Sequence, residues 1–194
     1  MKNILLLLLI ACLPGLSQQK LVLSTSESTV QWKGKMWLGN DSHEGTIRFS
    51  SGNMTTEKVG KIISASFEID MNTIKTLDAK PGGKDGLADH LKSEDFFAVK
   101  RFPKAYFVGT KIDKTTLPGN YSVQGMLTIK GVQKQITITV RITPSPTNTK
   151  ATAELTLFRS WWGVSYKAPD FLSTLKNDLI AEEVPIKLNL VFGK

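Results

Sequence analysis

A mainly β chain is expected, closed as a single antiparallel, roughly eight-stranded lipocalin-like β-barrel with one short helix. Three observations predict it. Runs of two-residue alternation recur from residue 21 to residue 192, turn residues break those runs, and only residues 87–97 switch to helical spacing.

The elements follow in order. Residues 18–27 are a polar lead-in with one strand-like run, Leu21-Val22-Leu23. Residues 28–37 alternate, with Val30, Trp32 and Met36 on one side and Gln31, Lys33 and Lys35 on the other; Gly34 leaves a gap in the apolar row. Gly39-Asn40-Asp41-Ser42 reads as a turn, residues 45–51 as a strand with Ile47 and Phe49 inward, and Ser51-Gly52-Asn53 as a second turn. Residues 61–71 alternate most cleanly: Ile63, Ala65, Phe67, Ile69 and Met71 share one face. Pro81-Gly82-Gly83 punctuates the chain before the helical stretch, where Asp85 caps the start and Phe96-Phe97 closes the end.

Strands resume at residues 105–112. Leu117-Pro118-Gly119-Asn120 turns the chain. Residues 121–130 and 132–143 form a hairpin through Lys130-Gly131, the second arm aligning Ile136, Ile138, Val140 and Ile142. Residues 150–158 align Ala151, Ala153, Leu155 and Leu157. Residues 159–181 are irregular and aromatic, and residues 183–192 align Val184, Ile186, Leu188, Leu190 and Phe192. Closing such a sheet removes exposed edges, and an eight-stranded barrel has room for side chains or one small ligand. A two-sheet sandwich is the alternative.

The first 17 residues read as a secretory signal peptide. Lys2 supplies the positive start, residues 4–11 are apolar but short of the about 20 residues of a membrane span, and Gly15 and Ser17 offer a cleavage site after Ser17. The alternative is a lipobox, Leu9-Ile10-Ala11-Cys12, with the protein anchored through acylated Cys12. The first makes the protein periplasmic or secreted, the second a lipoprotein anchored to a membrane. Cys12 is the single cysteine, so a chain cut after Ser17 folds without disulfides. A domain of this size buries roughly 70% of its unfolded surface, enough for one self-sufficient core over residues 18–194.

The net charge of +8 comes from scattered lysines with no basic run. That suits a solvated basic surface or peripheral contact with an anionic membrane, and it excludes nucleic acid, which calls for basic clusters interleaved with aromatics. No nucleophile with a positioned base and no carboxylate pair stands out, so an enzyme is not expected.

Several motifs together carry a resemblance. They are His90-Leu91-Lys92-Ser93 with Asp95-Phe96-Phe97; Phe102-Pro103 with Ala105 and Phe107; Gly125 with Leu127-Thr128-Ile129-Lys130-Gly131-Val132; Arg159 with Trp162-Gly163-Val164 and Tyr166; and Glu183-Val184. Trp32-Gly34 and His43-Gly45 add an N-terminal pattern. In this order they resemble the YceI-like family of bacterial periplasmic or secreted proteins, over about residues 29–191. The family often has an acid before the arginine, where this chain has Phe158. The resemblance implies a lipocalin-like barrel whose apolar tunnel takes a polyisoprenoid chain, each buried CH₂ contributing about 0.8 kcal/mol. It implies no cofactor beyond a bound isoprenoid lipid or quinone.

The ligand-binding residues expected on these grounds fall into three groups. Trp32, Phe67, Ile69, Met71, Phe107, Leu127 and Ile138 have inward phase, and either line a tunnel or fill it. Phe96, Phe97, Trp162, Tyr166 and Phe171 lie in the irregular segments, as core aromatics or as the lining and gate of a channel. His90 either anchors the helix or contacts a head group at the mouth, and Arg159 either pairs with an acid such as Asp95 or Glu183 or meets an anionic head group. The expected function is non-enzymatic binding of a long-chain isoprenoid or fatty amphiphile, for carriage, storage or sequestration, by a monomer or dimer. The alternatives are an interaction module with a side-chain-filled barrel, or an enzyme acting on an isoprenoid lipid.

Overall fold

The computed structural model describes residues 18–57, 61–78, 85–169 and 179–193. The signal-peptide and lipobox expectations, the Pro81-Gly82-Gly83 break and Phe171 lie outside the described residues. The described chain forms β1 (Gln18–Leu23), β2 (Thr29–Lys35), β3 (Ser42–Glu57), β4 (Ile62–Thr76), α1 (Gly86–Lys92), β5 (Lys104–Lys114), β6 (Asn120–Ile129), β7 (Val132–Pro144), β8 (Asn148–Phe158), a 3-10 turn (Arg159–Trp162) and β9 (Glu183–Gly193).

Every ladder is antiparallel, and the order β3-β2-β9-β8-β7-β6-β5-β4 returns to β3. The sheet therefore closes, and the sandwich alternative is set aside. Nine strands fill eight positions because β1 and β2 share one. β1 pairs Gln18–Val22 with the far half of β3 and reaches β9 at Leu23↔Phe192. β2 then takes over against the near half of β3 and against Ile186–Asn189 of β9. The jog between them is pinned to β9: the fully buried Ser28 hydroxyl accepts from the Val191 amide at 3.0 Å, and the Ser24 amide donates to the Val191 carbonyl at 2.8 Å.

Two local readings are corrected. Ser51-Gly52-Asn53 is not a turn; β3 runs straight through it, with all three residues paired to β4. The small polar residues that suggested a turn serve a register shift between Phe49 and Ser51. That bulge carries the inward phase from Gly45, Ile47 and Phe49 to Gly52 and Met54. In β4, Ile62 rather than Ile63 is buried, because the ladder slips between Thr55↔Ser64 and Thr56↔Ile62. β4 also continues past Met71 and buries Ile74, which is 1% exposed.

The Lys130-Gly131 hairpin is as expected, with positive φ at both residues (50° and 75°) giving the twist that tight β-hairpins need. The helix is shorter than its periodicity suggested. α1 stops at Lys92, where extended Ser93 donates its amide to the His90 carbonyl. The chain then doubles back through Ala98, with φ 47°, and the Phe97 amide bonds the Leu91 carbonyl. Phe96 and Phe97 thus sit on a turn beneath the helix.

Asp85 holds this helix to the barrel. Its carboxylate accepts from the Ala88 amide at 2.9 Å and from the Thr76 amide and hydroxyl at 2.8 and 2.7 Å. Burial alone would raise its pKa, but these donors outweigh it and hold the carboxyl below its ordinary value. Asp85→Ala is expected to cost about 1 kcal/mol near neutral pH by urea unfolding. A depressed folded pKa gives stability that is present above the unfolded value of 3.8 and lost as pH falls through the folded one. The gap between variant and parent should therefore narrow in that acidic window; a gap constant with pH would contradict this role.

An apolar lumen under an aromatic cap

The end of the barrel where β4 stops and β5 begins is covered by α1, the turn after it, the 3-10 turn and residues 163–169 and 179–182. The opposite end carries the β5–β6 and β7–β8 hairpins and the jog between β1 and β2. The ladders thin out beside the cap. β7 and β8 pair only from Val140↔Ala153 to Pro144↔Thr149, leaving Val132–Thr139 and Glu154–Phe158 without partners across that seam. The 3-10 turn packs there against β7, and its Trp162, 1% exposed, donates Nε1 to the Leu127 carbonyl at 3.3 Å.

Inside lies a cavity of about 250 Å³ to which no polar atom of the described residues contributes surface. It is lined from every barrel strand except β1. The cap contributes Leu91, Phe96, Phe97, Trp162, Val164 and Ile180. Phe67 stands at the centre of a ring cluster, with Phe49 at 5.9 Å, Phe192 at 6.1 Å and Phe107 at 6.4 Å between centroids. Trp32 folds against Gly45, its cross-strand partner. Its Nε1 is buried there without a hydrogen bond, a cost of about 1–3 kcal/mol that the close packing of the indole offsets.

Of the residues expected at the site, Trp32, Phe67, Ile69, Met71, Phe96, Phe97, Phe107, Leu127, Ile138 and Trp162 all line the cavity. His90 and Tyr166 do not. The His90 ring bonds Asp95 through Nε2 at 2.9 Å and stacks edge-on against both Phe96 and Tyr166, each at 5.0 Å, so the two rings back the cap from outside. Arg159 borders the lumen, but its guanidinium is spoken for. Nε donates to Ala181 at 3.0 Å, NH1 to Val164 at 3.0 Å and Tyr166 at 2.8 Å, and NH2 to Ile180 at 2.9 Å. The nearby acid is Glu182, at 3.5 Å, rather than Asp95 or Glu183. Burial pushes the Arg159 pKa down and Glu182 opposes that shift. Arg159 thus acts as a structural pin, its donors tying the two arms of the cap together. The glycines facing the large rings were missed from sequence, since which ring a glycine faces depends on cross-strand register.

Comparison with known proteins agrees with this architecture. A family model described as a YceI-like domain matches residues 21–192. A UPF0312 protein of Yersinia enterocolitica is 28% identical over 119 residues, covering 60% of this chain and 55% of that protein, so this chain spans about half the length of that relative. The crystal structure of BcnA from Burkholderia cenocepacia superposes with a TM-score of 0.71 at 26% identity, covering 87% of this chain and 98% of BcnA. A polyisoprenoid binding domain from Saccharophagus degradans, implicated in plant cell wall breakdown, shares the fold with a TM-score of 0.62 at 16% identity, over 89% of this chain and 97% of that one.

Arg159→Met is expected to destabilise the protein by about 3–5 kcal/mol in denaturant unfolding, since four carbonyls lose a charged donor at once. Arg159→Lys should recover only part of the loss, because one ammonium cannot reach acceptors on both arms. A variant as stable as the parent would refute the pin.

Proposed function

We propose, from the premise that this chain belongs to the YceI-like domain family, that it is an exported, non-enzymatic protein holding a polyisoprenoid or similar long-chain amphiphile inside its barrel. The observation that carries this reading is the lumen itself: about 250 Å³ of space to which the described residues present only apolar surface. Left empty, a cavity of that size costs about 6 kcal/mol on the scale of engineered core cavities. That is comparable with the whole net stability of a typical domain, about 5–15 kcal/mol. A chain that keeps such a void gains by filling it with a ligand, and an apolar chain is what such walls accept.

The volume lies just below the usual range of small-molecule pockets, about 300–1,000 Å³. The lining runs from Phe97 and Trp162 under the cap to Ile62 and Ile142 toward the hairpin end, which favours a slender chain over a bulky ring system. The polyisoprenoid binding domain sharing this fold supports the same ligand class. Export is supported by the N-terminal sequence alone: a lysine, an apolar run and small residues before Gln18. Carriage without chemistry suits a site where Arg159, the titratable residue bordering the lumen among the described residues, keeps its guanidinium on backbone carbonyls. A ligand held there meets carbon from the described residues and leaves unchanged.

The test is titration with geranylgeraniol, followed by the fluorescence of the lumen indoles of Trp32 and Trp162, with extraction of the alcohol afterwards. Saturable binding and recovery of unaltered alcohol are expected. Absence of binding would defeat the reading, and a converted product would make the protein an enzyme. Ala153 faces the lumen from β8 and is 6% exposed. Ala153→Leu is expected to fill space, raise stability by about 1 kcal/mol and weaken geranylgeraniol binding at least about tenfold. A variant less stable than the parent, yet binding as well, would show that the lumen is not the ligand site.

A further inference from the structure

Three rings that line the lumen each lie back over a glycine on the neighbouring strand. Trp32 on β2 lies over Gly45 on β3, Phe67 on β4 over Gly52 on β3, and Phe107 on β5 over Gly125 on β6. A methyl group added at any of the three would run into the ring it faces. At Gly45 it would also strike the Lys75 carbonyl, and at Gly125 the Val108 carbonyl at 2.7 Å, so there the backbone would have to move.

Gly52 is different. Everything that a Cβ there would meet closely is side chain: Phe67 Cδ1 at 2.5 Å, Leu23 Cδ2 at 3.0 Å and Phe67 Cε1 at 3.1 Å. The Phe67 ring is the part that must give. β3 stands behind it, and the Phe49, Phe107 and Phe192 rings crowd it within 6.4 Å. The direction left is into the lumen. Gly52 also lies deep, seven residues along β3 from Gly45, which is about 20 Å of strand. Trp32, Phe97 and Trp162 line the cavity on the cap side of Phe67, and Met54, Ile62 and Ile142 on the hairpin side.

We propose that the Gly52–Phe67 seat sets the length of chain that the lumen accepts. With the ring laid back on Gly52, the two halves are one continuous channel; with the ring displaced, a ligand is confined to one half. This rests on the lipid-binding reading above and adds to it a chain-length selector, with Gly52 as the positioning residue that keeps the Phe67 ring from acting as a stop. The selection acts on length because the walls are featureless hydrocarbon, where each additional buried CH₂ adds a similar increment of affinity until the chain meets an obstruction.

The experiment compares geraniol, farnesol and geranylgeraniol, titrated into the parent protein, Gly52→Ala, Phe67→Leu and the double variant, with circular dichroism and melting temperature recorded for each. The parent should bind more tightly as the alcohol lengthens. Gly52→Ala should keep geraniol within about twofold and lose geranylgeraniol by at least about tenfold, the equivalent of two buried CH₂ groups. Phe67→Leu, a smaller side chain with no ring to swing, should restore the long alcohol when added to Gly52→Ala. Alone, it should shift preference further toward length.

Equal losses for all three alcohols in a folded Gly52→Ala protein would overturn the selector, as would unchanged binding. Should Gly52→Ala fail to fold, an unchanged length preference in Phe67→Leu overturns it independently. If the parent binds none of the alcohols, the lipid-binding reading falls as well. If it binds all three and the variants follow it, only the selector falls.

Discussion

Closure of the sheet through β3 is the constraint on which the remainder of the molecule depends. This strand pairs with β2 along its near half, with β1 along its far half and with β4 throughout. While β1 and β2 meet β9 on the other side, this one strand, by pairing with both β2 and β4, joins the two ends of the strand order. Its length makes that feasible, and its bulges make it compatible with one inward face. Without the shift between Phe49 and Ser51, Gly52 and Met54 would point to solvent and Ser51 and Asn53 into the lumen. Once the ring is closed, alternation forces a row of apolar side chains inward from each strand. Whether that interior is solid then depends on the volumes present. Here Ala65, Ala105, Ala151 and Ala153 occupy wall positions that larger residues would fill, and three rings are held back over glycines. The space is the outcome of those choices.

The cap answers a different problem. Where β7 and β8 separate, backbone groups lose ladder partners and the lumen would open to water. Irregular backbone over an apolar cavity leaves carbonyls in need of donors. Arg159 supplies four of them from one side chain, Trp162 closes the gap, and Asp85 fixes the helix to β4. His90 and Tyr166 brace the cap from outside, packing against each other and against the lumen-lining Phe96. The polar atoms of the cap are thus mostly used by the protein itself, while its carbon faces the cavity.

Much of the barrel was legible in the sequence because two-residue alternation is enforced wherever one face is buried. Residues 184–192 and 136–142 read correctly from phase alone, since every second residue does line the lumen. The failures share a cause. Ser51-Gly52-Asn53 has local turn chemistry, and only the distant partner Phe67 shows why the glycine is there. Ile63 looked inward because a ladder slip at Thr55 and Thr56 leaves no trace in the pattern. Helical spacing carried the helix toward Phe97, but left-handed Ala98 turns the chain back. For His90, Tyr166 and Arg159, residue type left a structural role and a ligand contact both open. Their partners, Asp95, neighbouring rings and four carbonyls, come from segments that only the tertiary fold assembles. Phase reports which way a side chain points, and it says nothing of whether the space beyond is occupied.

The central claim is that the lumen is a ligand site and not an accident of packing. Native mass spectrometry of the full chain isolated from cells without denaturant, followed by organic extraction, tests it most directly. The account predicts a protein mass increased by a discrete long-chain isoprenoid or related amphiphile, one per barrel, released on unfolding. A clean unliganded mass that does not change after incubation with such lipids would contradict it and leave a barrel whose interior serves no ligand.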